Sequence, residues 1–388
     1  MKKYIIKDNV CTPYKLILNR VGRFLDINGW EKVSDKECAD VHIVGCCGAF
    51  KSLGYEALGL IKEAKGTGAK VIVFGCLTKV FPEEVGTLAP DQAIGAGEWE
   101  RLGDIVSDPS VSLEAVPYPD VFAAKEEYRL YDPGKRFILI QTGCSSDCPY
   151  CPHKLGIGEL KSRPFAQIIE DVRNSVLTGA HTIILHGNDT GSYGTDLGGP
   201  YFPDLIKKVL EIAPAVHLTQ VNADWAYEYK DVLFGLLTRE NKIKDFQVLI
   251  QTTSDRLLSM MKRRPVVLGL YDDLKKLKRM RPDIVLRTDI MVGFPTASGS
   301  DEKETLEYVV EIFDEVAVHA FERFPHAKIE KIGVQFYPQE EINKRLYGAL
   351  EFLSKYPDIL VHRGGQVYKT LIEIEKPKEL LRSKKNEQ

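Results

Sequence analysis

Three cysteines within eight residues are the part of this sequence best suited to chemistry. They are Cys144, Cys148 and Cys151, in the run Gly-Cys-Ser-Ser-Asp-Cys-Pro-Tyr-Cys that directly follows the apolar segment Arg136 to Gln141. Three thiolates on a strand-to-loop junction can point at one small centre, and an inorganic cluster or a metal ion makes good use of that arrangement. The spacing therefore predicts a cluster or metal site at the end of this strand.

A disulfide bond and a structural zinc site are the alternatives for these cysteines. The sequence shows no secretory signal peptide, so a cytoplasmic protein is expected, and disulfides are rare in that compartment. A structural zinc site usually closes its tetrahedron with two paired motifs, and no second Cys-x-x-Cys occurs in the sequence. Ligation of an inorganic cluster is the favoured interpretation.

Length and composition predict a packed protein of two or three domains. The chain has 388 residues, of which 44% are apolar and 28% are charged. No apolar run approaches the roughly 18 residues of a membrane span, so no membrane association is expected. A net charge of −3 gives no support for polyanion binding. All eight cysteines lie in the first 151 residues, so the later part of the chain offers no thiolate ligand.

Strands and helices alternate through the first hundred residues. The pattern predicts strands at Lys3–Ile6, Val41–Gly45, Lys70–Gly75 and Gln92–Gly95, and helices at Tyr14–Asn28 and Phe50–Lys65. Such alternation predicts a flavodoxin-like parallel α/β domain over residues 1–106, whose ligands gather beyond the carboxyl ends of the strands. Cys11, Cys47 and Cys76 each follow one of those ends. Prolines interrupt residues 107–134, which are expected to form a linker.

A second strand–helix series predicts a partial barrel of six βα units over residues 135–328. Its expected strands are Phe137–Thr142, Thr182–Gly187, Val216–Asn222, Phe246–Thr252, Ile284–Val292 and Val316–Phe324. Functional groups of such barrels lie at the carboxyl ends of the strands, where the three-cysteine loop also falls. Residues 329–388 are expected to form a short C-terminal extension with a helix at Glu340–Tyr356 and a remnant strand at Gln366–Ile374.

Several segments between Lys3 and Phe324 resemble the radical S-adenosylmethionine (radical SAM) methylthiotransferase family. The matching segments are Cys11 after the opening strand, Asp40–Cys47, Gly75–Cys76, Thr142–Pro164 with Tyr150 before the third cysteine, Gly187–Gly194, Leu249–Asp255 and Arg287–Pro295. The sequence departs from the family at Gly45-Cys46-Cys47, where Asn-Thr-Cys is usual, and at Phe321–His326. The family's C-terminal substrate-binding barrel is expected to be reduced or missing.

The resemblance implies a transferase that converts C–H to C–S–CH₃ with two SAM molecules and two 4Fe–4S clusters. Cys144, Cys148 and Cys151 would hold the catalytic cluster. Cys11, Cys47 and Cys76 would hold an auxiliary cluster, with Cys47 rather than Cys46 in the ligand position. The implied SAM-binding residues are Tyr150, Gly187, Asn188, Asp189, Gln251, Arg287, Asp289 and Gly293.

Some of these residues also have structural interpretations. Asn188 and Asp189 follow a strand end, where an Asx turn is the alternative to cofactor binding. Asp289 lies inside an apolar strand and needs a partner. Arg287 points to the same face, so the two could form a structural pair or hold the cofactor carboxylate. His186 is a candidate acid–base group, although a lone histidine more often only donates or accepts a hydrogen bond.

The expected substrate is an adenosine in tRNA, because Gly187–Gly194 most resembles the branch of the family that acts on threonylcarbamoyladenosine. A peptide or protein side chain is the alternative, favoured by the reduced C-terminal barrel and the acidic net charge. A third interpretation keeps the radical enzyme but has an auxiliary cluster that does not donate sulfur. An electron donor such as flavodoxin or ferredoxin is the expected partner.

Overall fold

The N-terminal part of the chain is a parallel sheet flanked by helices. The computed structural model describes residues 1–35, 38–118, 134–363 and 366–368. The five strands pair in the order β2-β1-β3-β4-β5, and every described pairing is parallel. The strands are β1 Lys3–Asp8, β2 Glu31–Lys32, β3 Val41–Gly45, β4 Lys70–Phe74 and β5 Gln92–Ile94. The helices are α1 Thr12–Ile27, α2 Lys51–Lys65, α3 Leu77–Val80 and α4 Pro82–Thr87.

The second part is an open, curved sheet of eight strands in the order β15-β14-β13-β12-β11-β10-β9-β6. Its strands are β6 Lys135–Leu139, β9 Thr182–His186, β10 Val216–Asn222, β11 Ile243–Leu249, β12 Val285–Val292, β13 Glu315–Ala320, β14 Leu360–Arg363 and β15 Gln366–Tyr368. A two-stranded antiparallel ladder of β7 Gln141–Thr142 and β8 Lys161–Ser162 lies beside it. Only β15 runs antiparallel in the large sheet.

Nine helices accompany this sheet in the described residues. They are α5 His153–Ile157, which packs against the N-terminal part, α6 Phe165–Leu177, α7 Phe202–Ile212, α8 Ala223–Glu228, α9 Lys230–Arg239, α10 Asp255–Met260, α11 Tyr271–Met280, α12 Gly299–Ile312 and α13 Gln339–Leu353. Short 3₁₀ turns occupy Ala96–Ile105, Leu113–Ala115, Thr190–Ser192, Leu268–Leu270 and Lys328–Lys331. None of the described helices is both long and apolar enough to cross a bilayer.

The burial of the strands follows from their position between layers. All five residues of β3 are buried, as expected for a strand covered by helices on both faces. Burial alternates along β12 and β13, because one side chain in two packs under the helices and the next faces the barrel interior. The interior face therefore collects the polar residues Arg287, Asp289, Glu315 and His319.

The two parts pack closely at the carboxyl ends of their strands. One hydrophobic cluster contains residues of both, including Phe81 and Phe324, whose ring centroids are 6.1 Å apart. Glu322 accepts a hydrogen bond from the backbone N–H of Lys51 (2.8 Å) at the first turn of α2. The ends of the barrel strands therefore face the N-terminal sheet directly.

Arg20 fastens the segment that leaves the N-terminal part. Its side chain is buried and donates to the carbonyls of Val116 (2.6 Å) and Glu114 (2.7 Å). Its guanidinium also lies 4.4 Å from the centroid of the Tyr118 ring. These contacts hold residues 114–118 against α1.

The predicted fold class, a parallel α/β domain followed by a partial parallel βα barrel, is confirmed. The strand order also shows a parallel neighbour of β13 that the sequence analysis did not expect at this place, the strand Leu360–Arg363. The boundaries predicted at residues 106, 134 and 328 stay predictions. Residues 119–133 of the expected linker and 369–388 of the expected extension, including most of the predicted strand Gln366–Ile374, lie outside the described residues.

Candidate functional site

The three-cysteine loop starts where β7 ends, at the carboxyl edge of the barrel. The Cys144 thiol accepts a hydrogen bond from the Ser146 N–H (3.3 Å) and lies 3.7 Å from Asp189 Oδ2. Burial and the nearby Asp189 carboxylate raise the pKa of Cys144 to about 12. Burial and Cys148 raise the pKa of Cys151 to about 11. Arg263 lowers the pKa of Cys151 only in part, and a bound metal centre would favour the thiolate forms of this set.

Asp189 lies beside this loop with one oxygen free. Its Oδ2 accepts from the indole N–H of Trp225 (3.2 Å), whereas its Oδ1 is buried and accepts no hydrogen bond from the described residues. Burial, offset in part by Arg263 and the Trp225 bond, raises the pKa of Asp189 to about 6. An unpartnered, buried carboxylate oxygen beside three cysteines suits a ligand that carries N–H or O–H donors, as SAM does.

Cys11, Cys47 and Cys76, far apart in sequence, line one pocket. The other residues that line this pocket are Val10, Tyr14, Cys46, His153, Ile157 and Asn188. Cys47 accepts a hydrogen bond from the Ala49 N–H (3.4 Å), and all eight cysteines of the chain are free thiols. The structure thus brings together the three residues proposed for an auxiliary cluster, with Cys46 also at the pocket wall.

The donor set of this pocket fits an iron–sulfur cluster. Burial and then the nearby Cys47 raise the pKa of Cys11 to about 12. Burial, Cys11, Cys47 and Cys151 raise the pKa of Cys76 well above its usual value. Within the described ranges, no three His, Cys, Asp or Glu side chains converge on a single ion. A 4Fe–4S cluster does not require such convergence, because each thiolate binds a different iron.

The two cysteine sets adjoin each other. Cys76 lies within electrostatic reach of Cys151, one residue from each set. A Cβ placed on Gly156 would lie 2.6 Å from both Cα and Cβ of Cys76, so only glycine lets α5 come this close to the Cys76 loop. Helix α5 also contributes His153 and Ile157 to the pocket of Cys11, Cys47 and Cys76, hereafter the auxiliary pocket. The segment that follows Cys151 therefore forms one wall of the auxiliary pocket.

The structure places Asn188 between the two sets. Its Oδ1 accepts hydrogen bonds from the Gly143 N–H (3.1 Å) and from the Tyr14 hydroxyl (3.3 Å). Gly187 packs over Gln141, with a virtual Cβ 2.9 Å from that residue's Cδ. Tyr150 is buried edge-on against Phe294, with centroids 5.8 Å apart. SAM binding by Tyr150, Gly187 and Asn188 stays a prediction.

The remaining predicted SAM residues lie on and beside β12. Arg287 donates to Asp245 Oδ1 (2.6 and 2.9 Å) near the start of the strand, so its charge already has a partner. Gln251 adopts a left-handed conformation (φ 64°) and bridges to Ile290. Gly293 also has positive φ (71°) and donates its N–H to Glu302 (2.8 Å). SAM binding by Arg287, Gln251 and Gly293 stays a prediction.

Asp289 has two partners that the sequence analysis missed. His319 Nε2 lies 3.0 Å from Asp289 Oδ2, and Gln247 Nε2 donates to Asp289 Oδ1 (2.9 Å). Burial alone would raise the pKa of Asp289, but these hydrogen bonds and Arg287 hold it below its usual value. The alternation of apolar residues along β13 was the available signal, since it points His319 to the same side as Asp289.

The sequence is similar to a known superfamily and to curated relatives. The Radical SAM superfamily model matches residues 138–309. The threonylcarbamoyladenosine tRNA methylthiotransferase MtaB of Rickettsia prowazekii is 28% identical over 79% of this chain and 73% of its own length. The ribosomal protein uS12 methylthiotransferase RimO of Geobacter sulfurreducens is 30% identical over 76% of this chain and 69% of its own length.

Solved structures of low identity share the fold. The radical SAM methyltransferase TsrM of Kitasatospora setae superposes with a TM-score of 0.61 at 14% identity, covering 87% of this chain and 80% of that one. The cobalamin-dependent SAM radical enzyme OxsB superposes with a TM-score of 0.55 at 13% identity, covering 95% and 57%. At these identities the likeness concerns the fold alone.

Proposed function

Because the chain belongs to the radical SAM methylthiotransferase family, we propose that it converts a C–H bond of a tRNA adenosine to C–S–CH₃. Its class is a transferase, and the family implies a 4Fe–4S cluster and SAM. The proposal adds a second SAM and a second cluster. It assigns Cys144, Cys148 and Cys151 to the catalytic cluster and Cys11, Cys47 and Cys76 to the auxiliary one.

The contact between the two cysteine sets is the observation that carries this proposal. When bound, a 4Fe–4S cluster with SAM would supply radical chemistry at a C–H bond, and the auxiliary cluster is proposed to supply the sulfur. The chain contributes proximity: Gly156 packs against Cys76, and Cys76 lies within electrostatic reach of Cys151. One substrate carbon bound at the mouth of the barrel can therefore react at both sets without dissociating from the protein.

Side chains around the sets are proposed to orient the cofactor and the substrate. The free Oδ1 of Asp189 suits a donor group of SAM. The Tyr14 hydroxyl donates a hydrogen bond to Asn188 Oδ1, which fixes the side chain of Asn188 beside both sets. Reduction of the catalytic cluster requires an external electron donor, for which flavodoxin or ferredoxin is proposed.

A peptide or protein side chain is the second candidate substrate. Gly187–Gly194 is the segment that favours tRNA, yet part of it is explained by packing: Gly191 lies against Trp225, with a virtual Cβ 2.4 Å from its Cβ, and Ser192 and Tyr193 are buried. Several relatives, at up to 30% identity, are named as uS12 methylthiotransferases. These observations favour a protein substrate as the alternative to tRNA.

Product analysis in a deletion strain tests the proposal. The strain is complemented with the wild type, Cys76→Ala, Cys151→Ala, or the control Cys38→Ala, which changes an exposed thiol outside both sets. Mass spectrometry of bulk tRNA and of cell peptides then measures methylthio groups. Methylthio-adenosine should appear with the wild type and with Cys38→Ala, and it should be missing with the other two variants.

Each other outcome identifies a different error. Methylthio-adenosine that persists in the deletion strain removes the tRNA substrate, and a methylthio-peptide lost in the same strain establishes the protein substrate. Release of 5′-deoxyadenosine by the purified wild type with neither product rejects sulfur insertion. That result would favour an auxiliary cluster that does not donate sulfur.

A further inference from the structure

His319 lies close to segments that follow the two cysteine sets. It is near the carboxyl end of β13, where it pairs in register with Met291. Its ring stacks on Phe50, three residues after Cys47, with centroids 5.7 Å apart and planes inclined by 23°. It also lies within electrostatic reach of His153, two residues after Cys151. Segments that follow both sets therefore meet at this imidazole.

A chain of hydrogen bonds sets the orientation of this imidazole. Gln220 donates its backbone N–H to Gln247 Oε1 (3.1 Å), which leaves the amide NH₂ of Gln247 to face Asp289 Oδ1 (2.9 Å). Asp289 Oδ2 then accepts from His319 Nε2 (3.0 Å). A carboxylate only accepts, so Nε2 carries a proton, and the tautomer that matches this hydrogen bond has its lone pair at Nδ1.

The Nδ1 atom has no partner among the described residues, and 21% of the His319 side chain is exposed. An imidazole that only held Asp289 in place would need no accessible second nitrogen. Here one nitrogen is fixed by Asp289 on the barrel wall, whereas the other is left for a group from outside the described residues. Phe50 and Asp289 together leave the ring little freedom to turn.

We propose that His319 is a substrate-positioning residue whose Nδ1 accepts a hydrogen bond from an N–H or O–H of the substrate. Asp289 and Gln247 act through it by fixing its tautomer. The substrate class is a molecule with a hydrogen-bond donor close to the reacting C–H, which both an adenosine and a peptide amide offer. This inference rests on the proposed function, because it assumes a substrate that reaches both cysteine sets.

Two isosteric substitutions separate positioning from a structural role. His319→Asn keeps an acceptor near the Nδ1 position but cannot reach Asp289. His319→Gln keeps a donor near the Nε2 position, which can reach Asp289, but offers no acceptor toward the substrate. The proposal predicts that His319→Gln raises the KM for tRNA from the deletion strain by roughly fivefold or more, and that His319→Asn raises it less. A structural role predicts the reverse order.

Asp289→Asn provides a third variant. The amide NH₂ would donate to Nε2, so the proton of the neutral ring would move to Nδ1 and the acceptor would become a donor. We expect a rise in KM comparable to that of His319→Gln, with circular dichroism unchanged. If His319→Gln and Asp289→Asn both have the KM of the wild type, the proposal is overturned.

A labelling readout is independent of turnover. Diethylpyrocarbonate modifies unprotonated imidazole nitrogens, and peptide mapping measures the modification of His319 in the reconstituted wild type. Added tRNA from the deletion strain should lower it several-fold, and fully methylthiolated tRNA from wild-type cells should protect less. The inference is rejected if the wild type turns over tRNA, tRNA does not lower the labelling of His319, and His319→Asn raises KM as much as His319→Gln does. The proposed function would stand in that case. No methylthio product from the wild type rejects both.

Discussion

Gly156→Ala tests the contact between the two cysteine sets. The added Cβ would lie 2.6 Å from Cα and Cβ of Cys76 and 3.0 Å from its carbonyl oxygen. Two of these atoms are backbone, so either α5 or the Cys76 loop must shift. Overpacking of this kind costs about 1–3 kcal/mol, and replacing a helical glycine returns about 0.5–1 kcal/mol. We expect a net loss in the free energy of unfolding of about 1–2 kcal/mol.

Urea unfolding of the apoprotein and iron content after anaerobic reconstitution are the two measurements. Gly156→Ala should be less stable and should lose iron toward half of the wild-type content, because the shift opens the auxiliary pocket. The control is Gly59→Ala on α2, where a Cβ meets nothing within 4 Å. It should gain about 0.5–1 kcal/mol and keep its iron. A Gly156→Ala protein with the stability and iron of the control would show that the two sets do not touch.

Two further substitutions test buried polar groups. Burial and Arg287 lower the pKa of His186 to about 3, against about 6.5 in an unfolded chain. Below about pH 6.5 the unfolded chain takes up a proton at His186 that the folded protein does not. The free energy of unfolding therefore falls as the pH drops from about 6.5 toward 3. Between pH 7 and pH 5, His186→Asn should lose about 2 kcal/mol less than the wild type in urea unfolding, and equal slopes would contradict this. Arg20→Ala leaves the carbonyls of Val116 and Glu114 without their donor, so it should lower the free energy of unfolding by about 2–4 kcal/mol. Arg20→Lys should lose less, and an Arg20→Ala protein as stable as the wild type would refute the role of this clamp.

The strands and cysteine loops were predictable because their signals are local. Val41–Gly45 is apolar throughout and is followed at once by Cys46 and Cys47, so a buried strand and a thiol at its carboxyl end are visible in one short segment. Parallel strands bring such ends to one edge, which is why Cys11, Cys47 and Cys76 could be expected near one another. The pocket that they line agrees with that expectation.

The partners of the interior polar residues could not be predicted in this way. Arg287 and Asp289 share a strand face, which suggested a pair, but Arg287 bonds to Asp245 and Asp289 to Gln247 on the next strand. Those choices depend on the register between strands, in which Gln247 lies opposite Arg287, and register is not readable from one sequence without its turns. The alternation along β13 could have placed His319 on the interior face, but its contact with Phe50 forms only when the two parts of the chain dock.

Because α5 forms one wall of the auxiliary pocket, the docking of the barrel should affect when iron can be loaded. Cys11, Cys47 and Cys76 leave the ribosome before His153, Ile157 and Asn188, which complete the pocket. Until the barrel docks, the three thiols lack these lining residues, so they should be more accessible to an iron–sulfur carrier and equally to oxidants. Once α5 has packed with Gly156 against Cys76, access to the three thiols is reduced. Loading of the proposed auxiliary cluster should therefore be easiest before the two halves dock, and its later replacement should require the two halves to separate.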